Sequence, residues 1–112
     1  MVRYLIVSFV FIVSLGAAVA CFAQEKETFT LIIKDHKFDP TSLRVPADQR
    51  FKIKVENQDP TAEEFESYDL NREKVVNGNK EIIVFLGPLS KGTYKYFGDF
   101  HQNTAQGSII AQ

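Results

Sequence analysis

The stretch Gly92-Thr-Tyr-Lys-Tyr-Phe-Gly-Asp-Phe-His101 decides the fold, together with the segment Gly107-Ser-Ile-Ile110 that follows it. A glycine-led turn leads into a stretch rich in aromatic residues, which predicts a β-strand. Asp99 and His101 then open a short loop, and a second glycine starts another apolar run. We therefore expect two neighbouring strands joined by a loop that carries a carboxylate and an imidazole.

The residues before this stretch also have the period of β-strands. Apolar and polar residues alternate in Glu27–Lys34 and, without error, in 50–57. Further strands are expected at Ser42–Val45, Glu63–Ser67, 74–76, Glu81–Leu86, 93–97 and 108–111. About eight short strands bounded by Pro and Gly, with no amphipathic helix, predict an all-β fold, a Greek-key antiparallel β-sandwich.

Two details of this prediction concern the middle of the chain. Asn77-Gly78 is the residue pair typical of a two-residue hairpin, so a hairpin-type turn is expected there. The strand Glu81–Leu86 is apolar at every position after its first, which predicts a strand covered on both faces.

Residues 1–23 have the pattern of a secretory signal peptide. Positions 4–23 contain no charged residue, and Gln24-Glu-Lys-Glu27 ends the apolar run. We expect cleavage after Ala23, which leaves 24–112 as one domain in the periplasm. Lipidation at Cys21 and an uncleaved membrane anchor remain alternatives. Contact with the membrane is expected only in those two cases, and all three place the domain outside the cytoplasm.

Charge and sulfur content exclude several classes of function. The chain holds 13 Lys and Arg against 14 Asp and Glu, and the basic residues are scattered, so no nucleic-acid partner is expected. The single cysteine is Cys21 and the single methionine is Met1. A domain that begins after Ala23 therefore has no thiol, thioether or disulfide, and its stability depends on its core.

The order and spacing of several motifs in 24–112 resemble the cupredoxin family. The motifs are Phe38-x-Pro40, Leu43-x-Val-Pro46, Asn57, Gly87-Pro-Leu89, Gly92-x-Tyr94 and the loop to His101 that closes on Gly107. The resemblance covers essentially all of the domain. It implies a Greek-key sandwich with a metal site at one end, built from a central strand and the loop before the last strand.

The resemblance also implies that the ligand set has changed. The cysteine position of the family falls at Gly98, the axial methionine position near Ala105 or Gln106, and the first histidine position at Glu63 or Glu64. Only His101 is retained. Because a blue-copper centre needs a soft thiolate ligand, no such centre is expected.

The acidic segment is similar to that of a narrower group, the periplasmic iron-uptake cupredoxins of the EfeO and FtrB type. Glu64-Phe-Glu66, Glu73 and the thiol-free last loop carry this resemblance. It implies a bound copper or iron ion. It also implies a membrane ferrous-iron permease or a periplasmic iron-binding protein as partner.

The residues themselves point to a metal site. Four carboxylates occur in seven positions, 63–69, without a basic residue among them, and such charges repel unless a cation neutralises them. Imidazole and carboxylate without sulfur suit Fe, Cu(II), Zn or Mn. We predict Glu64, Glu66, Asp99 and His101 as metal ligands, with Glu63, His36 and Glu73 as weaker candidates. A solvated edge strand is the alternative interpretation of the acidic run.

We therefore predict an exported metal-binding protein of periplasmic iron uptake or transfer, more a binding protein than an enzyme. One alternative is a metal-free sandwich that serves as a protein-interaction module. Another is copper-dependent oxidation of ferrous iron. Hydrolysis by a pair of carboxylates is rejected, because a sandwich this small has little room for the cleft that the reaction needs.

Overall fold

The computed structural model describes residues 27–112 and Gly16; the predicted signal peptide, its cleavage site and Cys21 lie outside these residues. The described residues form two sheets, and the predicted β-sandwich is confirmed. The strands are β1 (Glu27–Lys34), β2 (Lys37–Asp39), β3 (Ser42–Val45), β4 (Phe51–Asn57), β5 (Glu63–Ser67), β6 (Arg72–Val76), β7 (Glu81–Leu86), β8 (Gly92–Gly98) and β9 (Gln106–Ala111). Within the described part of the chain, no helix has the length and apolar character that crossing a membrane requires.

The strand order is β2-β1-β4-β7 in the first sheet and β3-β9-β8-β5-β6 in the second. Both sheets are mixed, since β1 runs parallel to β4 and β3 runs parallel to β9. The antiparallel pairing that the sequence predicts holds for the other strand pairs. β3 lies in the second sheet, although β2 before it and β4 after it lie in the first.

The segment from β6 to β7 corrects two predictions. β6 ends the second sheet and β7 ends the first, so Asn77-Gly78 joins the sheets and does not close a hairpin. Gly78 is needed for another reason, since a Cβ there would overlap the backbone oxygen of Pro60. β7 is an edge strand on which Phe85 is 58% exposed. Its continuous apolar run therefore does not reflect cover on both faces.

The core lies between the sheets and is rich in aromatic rings. Phe65 of β5 contacts Phe38 of β2 and Tyr96 of β8, with ring centroids 6.4 and 5.2 Å apart. All three residues are buried. Because side chains alternate along a strand, the burial of Phe65 turns Glu63 towards the same interior face. The core thereby fixes which glutamate of the acidic run points inward.

Candidate metal centre

Strand β5 presents carboxylates on both of its faces. Glu63 is 1% exposed and lies on the inner face with Phe65, whereas Glu64, which is also buried, and the half-buried Glu66 lie on the outer face. The register is fixed by pairing with β6 on one side and with β8 on the other. The predicted ligands on this strand therefore belong to two different places.

A short 3-10 helix, Asp99–His101, follows β8 and supplies the other predicted ligands. Two backbone hydrogen bonds hold the loop, from Gly98 N to Ala105 O and from Ala105 N to His101 O, each 2.8 Å long. The carboxylate of Asp99 lies beside Glu64 and Glu66 on the outer face of β5. The ring of His101 contacts Glu63 on the inner face. The single site predicted from Glu64, Glu66, Asp99 and His101 is thus divided into two clusters by β5.

The inner cluster is built around the carboxylate of Glu63. Its Oε2 lies 2.6 Å from Nδ1 of His101, and its Oε1 accepts hydrogen bonds from the backbone N–H groups of Glu64 and Phe100 at 3.0 and 2.9 Å. A carboxylate only accepts hydrogen bonds, so Nδ1 of His101 is the donor. Nε2 of this ring has no hydrogen-bond partner among the described residues.

His36 completes the inner cluster from the turn between β1 and β2. Asp35 and His36 both have positive φ, 52° and 57°, in a two-residue turn. The turn lays the ring of His36 on that of His101, with centroids 3.6 Å apart and planes inclined by 14°. One ligand atom from each of His36, Glu63 and His101 lies within 4.8 Å of the other two.

Asp59 supports this turn and was not found from the sequence. Its carboxylate accepts hydrogen bonds from the backbone N–H groups of Asp35 and His36 at 2.8 and 3.0 Å, and Oδ2 lies 3.5 Å from Nδ1 of His36. Burial raises the pKa of Asp59, but these hydrogen bonds and the nearby imidazoles outweigh burial and hold the pKa below its usual value. The side-chain amide of Asn57 in turn accepts a hydrogen bond from Asp59 N and donates to the backbone oxygens of Thr61, Val76 and Asn77.

The outer cluster consists of Glu64, Glu66 and Asp99, whose carboxylate oxygens lie within 4.8 Å of one another. Glu73 of β6 stands opposite Glu66 in the sheet. A hydrogen bond with Glu73, then burial and the neighbouring negative charges, raise the pKa of Glu64 to about 7. Burial, then the charges of Asp99 and Glu73, raise the pKa of Glu66. This cluster therefore holds a proton more readily than isolated glutamates do.

The donor atoms decide which kind of metal each cluster suits. The inner cluster offers two imidazoles and one carboxylate, which suit Cu(II), Zn or Fe, and the outer cluster offers only oxygen atoms. Residues 27–112 contain neither Cys nor Met, so the sulfur donors of a blue-copper centre are missing from the described residues. A copper ion fits the inner cluster as a nitrogen and oxygen site, and a thiolate-bound copper does not fit.

Comparison with known proteins gives a family match over most of the sequence. The profile of the cupredoxin-like domain matches residues 4–111. An uncharacterized protein of Rickettsia prowazekii (strain Madrid E) is 51% identical over 80 residues, which are 71% of this chain and 64% of that protein. The matched region therefore spans less than two thirds of the relative's length.

Solved cupredoxin structures have the same fold. Auracyanin A, a blue copper protein of Chloroflexus aurantiacus, is 18% identical with a TM-score of 0.68, over 79% of this chain and 100% of its own. Amicyanin of Paracoccus versutus is 13% identical with a TM-score of 0.62, over 79% and 84%. A purple cupredoxin of Nitrosopumilus maritimus is 17% identical with a TM-score of 0.60, over 75% and 99%. At these identities the likeness is one of fold.

Proposed function

The chain belongs to the cupredoxin-like domain family, and on this basis we propose that it binds a transition-metal ion through His36, Glu63 and His101. The observation that carries the proposal is the meeting of two imidazoles and a buried carboxylate within 4.8 Å at one end of the sandwich. Copper(II) is the preferred ion, because sites of this donor type bind it more tightly than the other divalent metals of the first transition series. Iron is the second choice.

The three side chains would have different roles in holding the ion. Glu63 supplies the negative charge, in a position fixed by the backbone N–H groups of Glu64 and Phe100. His101 would supply a neutral ring nitrogen, and its hydrogen bond to Glu63 fixes the orientation of the ring. His36 is held over the site by its turn. A bound copper ion would supply one-electron chemistry without a thiolate.

The physiological role that we propose is periplasmic iron uptake or transfer, beside a ferrous-iron permease or an iron-binding protein. The similarity of Glu64-Phe-Glu66, Glu73 and the thiol-free loop to iron-uptake cupredoxins supports this role. The outer cluster also supports this role. Its crowded carboxylates raise the pKa of Glu64 to about 7, and a bound iron cation would neutralise their charge in place of a proton. We also propose Glu64, Glu66 and Asp99, with Glu73 beside them, as the second place where iron binds.

Calorimetric titration of the purified protein with Cu(II), Fe(III) and Zn(II) tests the metal proposal. We expect Cu(II) to bind with a Kd of about 1 μM or tighter, close to −8 kcal/mol. The variant His36→Ala/His101→Ala should lose this binding, and the matched variant Glu64→Gln/Glu66→Gln, altered on the other face of β5, should keep it. Binding no tighter than roughly 1 mM, a level found for weak carboxylate sites, would overturn the proposal. If only the Glu64→Gln/Glu66→Gln variant lost Cu(II) binding, the copper site would be assigned to the outer cluster.

Export is a separate part of the proposal and has its own test. The uncharged run 4–23 supports secretion, with cleavage after Ala23. Mass spectrometry of the protein recovered from a bacterial host should find a chain that begins at Gln24. A lipid-modified chain that begins at Cys21 would instead indicate anchoring on the outside. An uncut chain in the cytosolic fraction would contradict export.

A further inference from the structure

Gly98 ends β8 in an ordinary extended conformation, with φ −92° and ψ 111°. Any residue adopts these angles, so backbone freedom does not explain the glycine. Space explains it. A Cβ at position 98 would lie 2.6 Å from Cδ and 2.9 Å from Oε1 of Glu63, and 2.7 Å from Cβ of Ala105. The carboxylate of Glu63 therefore fills the space that a side chain at position 98 would take.

The carboxylate of Glu63 has no easy way to move aside. It is 1% exposed and is fixed by His101 on one oxygen and by the N–H groups of Glu64 and Phe100 on the other. Displacing it would leave buried hydrogen-bonding groups without partners, which is costly. Glu63 and a side chain at position 98 are thus mutually exclusive in this fold.

We propose that Gly98 is the specificity-determining residue of the inner cluster. Because Gly98 has no side chain, the carboxylate of Glu63 can occupy the space beside His101. The metal donor at this place is therefore an oxygen of Glu63 and not an atom of residue 98. An anionic oxygen donor favours Cu(II), iron and zinc over Cu(I), which prefers sulfur. This inference rests on the proposed function, since it concerns the selectivity of the same metal site.

A double-mutant cycle without metal tests the exclusion itself. Urea unfolding is measured for the unaltered protein, Gly98→Ala, Glu63→Ala and the double variant. Gly98→Ala should lower the unfolding midpoint clearly more when Glu63 is present than in the Glu63→Ala background. The contact with Ala105 is common to both backgrounds and cancels in the cycle. Equal shifts in the two backgrounds would overturn the inference.

Metal titration tests the selectivity. Gly98→Ala should weaken Cu(II) binding by roughly 10-fold or more and reduce the preference for Cu(II) over Cu(I). Its Cu(II) affinity should equal that of Glu63→Ala, and the double variant should bind Cu(II) no more weakly than either single variant. A merely structural effect of Gly98→Ala would weaken both copper ions alike and would overturn the inference. Failure of the unaltered protein to bind copper would instead refute the proposed function, and the selectivity claim with it.

Discussion

Glu63 is an ionisable residue that the fold has buried and surrounded with hydrogen-bond donors. Two backbone N–H groups and the imidazole of His101 use both of its oxygens. Burial of a polar group is unfavourable unless it is hydrogen-bonded, and here each oxygen has a partner. A side chain supported in this way is already placed for a metal and loses little freedom on binding one.

Glu63→Gln is expected to weaken Cu(II) binding by about 10-fold or more, because the amide lacks the negative charge and presents an N–H group where His101 also donates. The protein should remain folded, since Gln has the same shape. Calorimetric titration measures the effect, with Glu56→Gln on β4 as control for loss of one carboxylate. Copper affinity unchanged by Glu63→Gln would remove Glu63 from the ligand set.

The stability of the metal-free protein should depend on the protonation of Glu64. Its folded pKa, about 7, lies above the ordinary value of 4.5, so the folded state binds the proton more tightly. The resulting stability is complete below pH 4.5 and is lost as the pH rises through 7. The free energy of unfolding of Glu64→Gln, minus that of the unaltered protein, should therefore be larger at pH 8 than at pH 4.5. Urea unfolding at both values checks this, and a pH-independent difference would contradict it.

Part of the site could be predicted from single residues. The fold placed Asp99 and His101 in one loop, as the sequence indicates, but adjacency in sequence does not show that they face different clusters. Glu63 had a usable signal, because a buried Phe65 implies an inward residue two positions earlier. His36 was predicted only as a weaker candidate, and its stacking on His101 could not be predicted, since it depends on a left-handed turn and on the distant residue Asp59.

Among the structural elements, the turn between β1 and β2 has the largest effect on the geometry of the inner cluster. It places His36 over His101, and Asp59 accepts hydrogen bonds from the N–H groups of Asp35 and His36 in this turn. β1 was predictable from its alternating residues, whereas the three-residue strand β2 was not among the predicted strands. The loop that supplies Asp59 lies between β4 and β5, so its effect on the turn comes from the sandwich and not from local sequence.

Asp59→Ala should reduce stability by about 2 kcal/mol, because two backbone N–H groups of the turn lose their acceptor. Hydrogen exchange at Asp35 and His36 should become faster. The ring protons of His36 and His101 should lose the chemical-shift effects of stacking. Nuclear magnetic resonance measures both, with Asp39→Ala on exposed β2 as control. An intact stack in Asp59→Ala would show that the turn holds His36 without Asp59.

The edges of the sandwich show where sequence pattern is insufficient at this scale. Arg72 and Lys74 of β6 donate hydrogen bonds to backbone oxygens of Phe85 and Ile83 in β7, at 3.2 and 3.1 Å. These bonds join the edge strands of the two sheets. A continuous apolar run such as β7 does not reveal whether its neighbour is another strand or a pair of cationic side chains.

At the scale of the whole molecule, metal binding and folding are linked. An ion that binds only the folded state at 100 times its Kd stabilises that state by about 2.7 kcal/mol. For a domain of this size, each kcal/mol raises Tm by roughly 4–8 °C. Cu(II) should therefore raise the Tm of the unaltered protein by roughly 10–20 °C and leave the Tm of the His36→Ala/His101→Ala variant unchanged. Calorimetric scans with and without the metal check this, and an equal rise in the variant would contradict it.

The central claim is that two imidazoles and a carboxylate hold the metal at one end of the sandwich. Electron paramagnetic resonance of the Cu(II)-loaded protein, with pulsed detection of imidazole nitrogens, tests it most directly. We expect two coordinated imidazoles, reduced to one by either His36→Ala or His101→Ala. A spectrum with no coordinated imidazole, or one that neither variant changes, would contradict the account and assign the metal to the outer carboxylates.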